Sequence, residues 1–294
     1  MGELRFLAST GPLFARPLDW AMGVIAEAGY DGVELMVTQD PATQQAARVE
    51  VAARREGMPV PVVHGPFLLL TRRVLGTNFI EKSRRSLELA TEVGADLLIV
   101  HPPYRWQARS HDWLAEEAGE EADALGTHIG VENLFPVPVL GRPVRFHRYT
   151  RPEHLDGFSN LVLDTSHFGV AGVDIVSAWD RLGGHAAHLH VSDNRGQGRD
   201  SHAPLGHGIL PIASFLTAVG RSSYSGAITL ELDCRRYLGD RAALVGYLRQ
   251  EREKCLALLA GAPAEEVLGR ADRVAAASDV TAGGDDDAAV PLDA

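Results

Sequence analysis

What most constrains this chain is a repeat of pattern rather than of residues. Eight short apolar runs, at residues 4–9, 32–37, 60–65, 96–101, 129–134, 160–164, 186–192 and 227–232, recur at fairly even intervals. They are continuously hydrophobic rather than alternating, as strands buried on both faces are. Between them lie segments with helical spacing at 17–28, 42–56, 78–93, 111–125, 173–182 and 211–219, each running up to a glycine: Gly29, Gly57, Gly94, Gly126, Gly183 and Gly220. Strand, helix, glycine and strand again is the grammar of βαβ units with a parallel sheet.

Eight units predict an α/β fold, a single (β/α)8 TIM barrel. An open doubly wound sheet would want a Gly-rich phosphate loop after its first strand. Ser9-Thr10-Gly11-Pro12 stands there instead. The stretch 133–160, with Pro136, Pro138, Pro143 and the arginine run Arg142–Arg151, reads as a long loop followed by a short helix near 152–157. A last helix is expected at 239–259. The barrel is assigned to residues 1–260 and an Ala/Gly/Asp-rich tail to 261–294, with a helical turn or two near 264–277 and no fixed structure at its end.

Composition narrows the partners. The formal charge is −11, but from Ala264 onward eight acidic residues stand against two arginines, so the body carries only a modest excess. No basic stripe points to nucleic acid, although a small basic patch can hide inside an acidic total. Cys234 and Cys255 form no CxxC motif, which suits a reducing compartment. No run approaches the roughly 18 apolar residues of a membrane span, and the N-terminus has no signal-peptide core. A cytoplasmic location is expected.

The strand ends carry the chemistry. In chain order they offer His64, His101, Glu132, Asp164 with His167, His190, and Glu231, and the loop after the seventh strand adds Asp200 and His202. Any one of these is ordinary. In a barrel, however, strand C-termini share one mouth. Several carboxylates crowded there would repel and desolvate one another, and divalent cations remove that cost. Mixed His/Asp/Glu donors suit zinc or manganese, and with two separated cysteines a thiolate site is excluded.

The pattern resembles the xylose isomerase-like TIM-barrel superfamily over residues 3–260. The resemblance implies a shared metal site formed by Glu132, Asp164, His190 and Glu231. Two branches compete. In the sugar isomerase and epimerase branch, which the stretches His188–Pro211 and Ser225–Leu232 resemble most, one ion binds the substrate carbonyl and neighbouring hydroxyl. Glu132 and Glu231 then move a proton as catalytic base and acid. The substrate class is a small sugar, polyol or sugar phosphate. The other branch, endonuclease IV, is a trinuclear zinc phosphodiesterase acting on abasic-site DNA. It implies His64, His101, His167, Asp200 and His202 as further metal ligands, so one to three ions per chain are expected. Its flanking motifs are missing here: His64 is followed by Gly-Pro-Phe, and Asp164-Thr165-Ser166-His167 lacks the usual cysteine.

Substrate contacts are expected from Glu34, His188, Arg195 and Trp106. Glu34 is equally read as an inward polar residue of the barrel, His188 is read first as a hydrogen-bonded layer residue inside it, and Arg195 and Arg199 are read as phosphate-binding or solvated loop arginines. Phe14, Phe67 and Phe135 are further candidates for a sugar pocket. Asp193 and Asn194 read as hydroxyl-binding or loop-capping residues.

Overall fold

The eight runs become eight parallel strands. In the computed structural model, which describes residues 4–67 and 71–269, they are β1 (Arg5–Ser9), β2 (Gly32–Met36), β3 (Val62–His64), β4 (Leu97–Val100), β5 (His128–Glu132), β8 (Leu161–Asp164), β9 (Ala186–Val191) and β10 (Ala227–Leu230). Two short strands, β6 (Val137–Val139) and β7 (Arg142–Val144), lie between β5 and β8. The eight close in the order β1-β10-β9-β8-β5-β4-β3-β2, a (β/α)8 TIM barrel with helices between the strands.

Helices form where expected, with shifts that have local causes. Asn78 caps Phe79–Glu92 by accepting from the N–H groups of Ile80 and Glu81, and Asp240 caps Arg241–Leu259 through the N–H of Ala243. These caps satisfy N–H groups that the helix leaves open. The segment expected as one helix over 111–125 is two, Ala108–Glu116 and Ala118–Ala124, broken at Glu117. The helix expected to stop at Gly220 runs through it, as Ile212–Arg221. A Cβ on Gly220 would meet the Leu259 carbonyl at 2.0 Å, so this glycine serves a close approach between helices rather than a stop.

The 133–160 loop also departs from expectation. β6 and β7 form an antiparallel ribbon with Pro138 opposite Pro143, turned by Leu140 and Gly141, both with positive φ. A 3-10 turn at Pro152–His154 replaces the expected short helix. In the tail, Ala264–Leu268 is helical, and residues 270–294 lie outside the described residues, as do 68–70.

Two cores result. The larger one fills the space between strands and helices. A smaller one lies inside the barrel and contains Leu7, Val62, Leu97, Ile99, Val162 and Ala227. Side chains two apart share a face of a strand. Two residues beyond these apolar positions, the lumen receives His64, His101, Asp164 and Thr229. This step of two carries the lumen from a dry floor to a polar top.

Candidate metal centre

The polar top gathers side chains from six strands around Glu132, which is buried at the end of β5. Its Oε2 lies 3.2 Å from His64 Nε2 and 2.9 Å from His101 Nε2. Its Oε1 lies 3.1 Å from His190 Nδ1 and 3.3 Å from His167 Nδ1. His190 Nδ1 also faces Glu231 Oε2 at 3.4 Å and Asp164 Oδ2 at 3.6 Å. One imidazole nitrogen thus meets three carboxylates, each from a different strand.

The surroundings orient these groups. The second nitrogen of His190, Nε2, lies 2.9 Å from Glu34 Oε2, and Thr229 donates to that same oxygen at 2.9 Å. A carboxylate behind a histidine fixes its tautomer and turns the other nitrogen toward the centre. His64 does likewise by donating from Nδ1 to the Gly65 carbonyl at 2.9 Å, leaving Nε2 inward. Asp164 divides its two oxygens: Oδ1 caps the helix Thr165–Val170 by accepting from His167 N at 2.7 Å. Oδ2 is buried with no hydrogen-bond partner.

A second constellation adjoins the first. Asp200 Oδ2 lies 2.6 Å from His202 Nε2 and 3.3 Å from His167 Nε2, while Ser166 donates to its Oδ1 at 2.5 Å. His167 Nδ1 donates to the Asn133 carbonyl at 2.8 Å, which leaves Nε2 for Asp200.

The electrostatics follow from crowding. Burial would raise the Glu132 carboxyl, but His101 and His190 overcome it and hold it well below its usual range. Burial opposes a charged His190, yet Glu34 and Glu132 raise it well above the ordinary histidine value. His202 is carried up to about 10 by Asp200 and Glu231 against the effect of burial. Burial lifts Glu231 above its usual value. The crowded acids thus favour positive charge at this centre, whether on an imidazole or on a cation.

The donor set fits divalent ions. His64, His101 and Glu132; Glu132, Asp164 and His167; and Asp164, His190 and Glu231 each offer ligand atoms within 4.8 Å of one another. The orphaned Asp164 oxygen sits at the junction of the last two groups. Glu34, His188 and His190 make a fourth group, deeper in the barrel.

The residues expected to touch substrate divide. Glu34 and His188 are fully enclosed, with His188 Nε2 held by Glu34 and Thr229 at 3.1 and 2.8 Å; they support His190 from below instead of facing the mouth. Arg195 is exposed on the loop after β9. Trp106 is 63% exposed and stacks on Tyr104 at the outer rim. Asp193 is a loop cap, accepting from the N–H groups of Gly206, Gly208 and Leu210, and Asn194 ties Ser166 to the Arg199 carbonyl. Phe135 packs on His167 with ring centres 4.7 Å apart.

A cavity of about 720 Å³ opens beside Glu231 and His202. Phe14, Met36, Thr38 and Asp40 line its far wall, and Asp233 and Arg235 its rim. Neither Arg195, Arg199 nor Trp106 is among its lining residues. Asn133, Ser166 and Thr229 escaped the sequence reading, because hydroxyls and amides that hold neighbouring acids and imidazoles in place carry no spacing signal of their own.

Comparison with known proteins now decides the family. The family model described as a xylose isomerase-like TIM barrel matches residues 22–254. The chain belongs to that family. An uncharacterised protein of Mycobacterium leprae (strain TN) is 32% identical over 243 residues, covering 76% of this chain and 87% of that protein. Fructoselysine 3-epimerase of Escherichia coli O157:H7 is 24% identical over 266 residues, 83% of this chain and 94% of that enzyme. Among solved structures, a D-tagatose 3-epimerase-like protein superposes with a TM-score of 0.63 at 22% identity, covering 85% of this chain and 99% of that one. No helix among the described residues is long and apolar enough to cross a membrane.

Proposed function

We propose that this family member is a divalent-metal-dependent epimerase or isomerase of a small sugar without a phosphate group. The observation that carries the reading is the meeting of Glu132, Asp164 and Glu231 within 3.6 Å of His190 Nδ1, beside an open cavity. The fructoselysine epimerase relative and the tagatose epimerase-like neighbour support the reaction class.

Glu132, Asp164, His190 and Glu231 would hold the ion, which supplies charge stabilisation to an oxygen of the substrate as negative charge develops there. The rest falls to the chain. Glu132 and Glu231 come from strands three places apart in the barrel order, so they approach a bound sugar from two sides. One carboxylate takes the proton from the carbon beside the carbonyl, and the other returns a proton. Glu34 keeps the His190 ring in register, and Asp164 fixes the first turn of its helix. Phe14 and Met36 give the cavity an apolar wall for the carbon skeleton.

The cavity's charges support the choice against phosphate. Arg235 is its one lining guanidinium among the described residues, and its Nε–Nη2 edge is engaged by Asp233 at 2.9 and 2.7 Å. Asp40 adds a further negative charge to the wall. A phosphate would meet acids and find no free fork to bind it.

A phosphoester hydrolase is the second reading, favoured by the donors His64 and His101 on one side and His167, Asp200 and His202 on the other, which allow up to three ions. Incubation of the metal-loaded protein with a ketose panel in heavy water separates the two. Deuterium at the carbon next to the carbonyl, lost in Glu132→Gln, is the expected result. Cleavage of phosphoesters with no solvent hydrogen exchanged into any ketose would reverse the assignment.

A further inference from the structure

An aromatic corner lies beyond β4, outside the residues that line the cavity beside Glu231. Tyr104 lies between two rings: His147 at 4.8 Å and 28°, and Trp106 at 4.9 Å and 5°. Phe146 abuts Trp106 edge-on, with centres 6.2 Å apart. The stack is pinned from both chain segments, since Tyr104 bridges His147, Arg105 N donates to the Phe146 carbonyl at 2.8 Å, and His147 Nδ1 donates to the Pro102 carbonyl at 2.8 Å. Trp106 ends the ladder and is 63% exposed; Tyr104 and Phe146 are the rings against it among the described residues.

Arginines flank this platform. Arg105, Arg145 and Arg148 are exposed, and none forms an ion pair among the described residues; Arg148 reaches only the Arg105 carbonyl, at 3.2 Å. Like charges left together without acids favour an anion between them. An exposed flat ring beside guanidiniums calls for a planar group that carries negative charge.

We propose that this corner binds a mononucleotide, with the base stacked on Trp106 and the phosphates held by Arg105, Arg145 and Arg148. Base stacking on an aromatic side chain is sequence-tolerant, and a nucleic-acid strand is held by successive platforms. Here the inner rings are already covered, so the corner seats one base. That favours a single nucleotide over a strand. The site stands beside the mouth, with Trp106 five residues from His101, and does not depend on the sugar reading.

Equilibrium dialysis and calorimetry with the full-length protein, using ADP as probe, test it. ADP should bind with one site per chain, adenosine and pyrophosphate each more weakly. Trp106→Ala should weaken ADP by about tenfold, the loss of one stacking contact. Arg145→Ala/Arg148→Ala should weaken ADP by at least about tenfold and leave adenosine unchanged. Two results would overturn the proposal: ADP failing to bind at millimolar concentration, or binding equally to wild type and both variants. A ten-nucleotide oligothymidine that binds far more tightly than ADP would replace the mononucleotide with a strand.

Discussion

Val62, Leu97, Ile99, Val162 and Ala227 at the floor of the barrel lumen pack against one another. Two residues further along the same strands, the lumen holds His64, His101, Asp164 and Thr229, joined there by Glu34, Glu132 and His190. The floor is stabilised by burial of apolar surface and tolerates no unmatched charge. The top consists almost entirely of groups that are costly to bury and are tolerable only because each faces an opposite. The same backbone supports both, so stability and chemistry are separated by about one pleat of a strand.

The sharpest way to break this contrast is Glu132→Gln. It should lower sugar turnover by about 10²- to 10⁴-fold, as the loss of an acid–base group does. Metal content measured by plasma emission should fall with it while the apolar floor keeps the fold. A variant with full activity would remove Glu132 from the centre. Leu97→Ala tests the other half: chemical denaturation should show a loss of about 2–5 kcal/mol with metal stoichiometry retained. Stripping bound ions with a chelator should lower stability by about 2.7 kcal/mol relative to protein held at a hundredfold excess of metal over Kd. An unchanged melting temperature would mean that no ion is bound at the top. Glu34→Gln sits between the two regions. It should weaken metal binding by about 10- to 100-fold through His190 alone, and a metal titration would show it.

A further prediction concerns the outer loop. Burial, aided by His101, pushes His147 down to about 4 from its ordinary value of 6.5. The folded state therefore binds its proton less readily than the unfolded chain does. Stability from this group is complete above pH 6.5 and declines as pH falls from there toward 4. A ring titration followed by NMR should have its midpoint near 4, and a midpoint near 6.5 would show that the ring is not enclosed.

The sequence made the eight strands and the acids and imidazoles at their ends legible because buried parallel strands are apolar throughout, so one charged residue at the end of a run stands out. The depth of Glu34 and His188 was not legible. Both occupy inward positions, but whether an inward residue opens to the mouth or lies beneath it depends on register between strands. The ribbon β6–β7 was hidden by its prolines, which ordinarily argue against a strand. Pro138 and Pro143 face each other across an isolated two-stranded ribbon and leave the barrel ladder untouched. Its Leu140-Gly141 turn also lacks the Asn-Gly signature of hairpins. Gly220 looked like a stop because the neighbour that requires it, Leu259, is far away in sequence.

The divided duty of Asp164 has one more consequence. With one oxygen anchoring the N–H of His167 and the other turned to the centre, the side chain would work as a strut between a bound ion and a helix. Any pull on the inward oxygen is passed to the start of that helix, and from there to His167 and its neighbour Asp200. Filling one cation position should therefore stiffen the adjoining one before a second ion arrives.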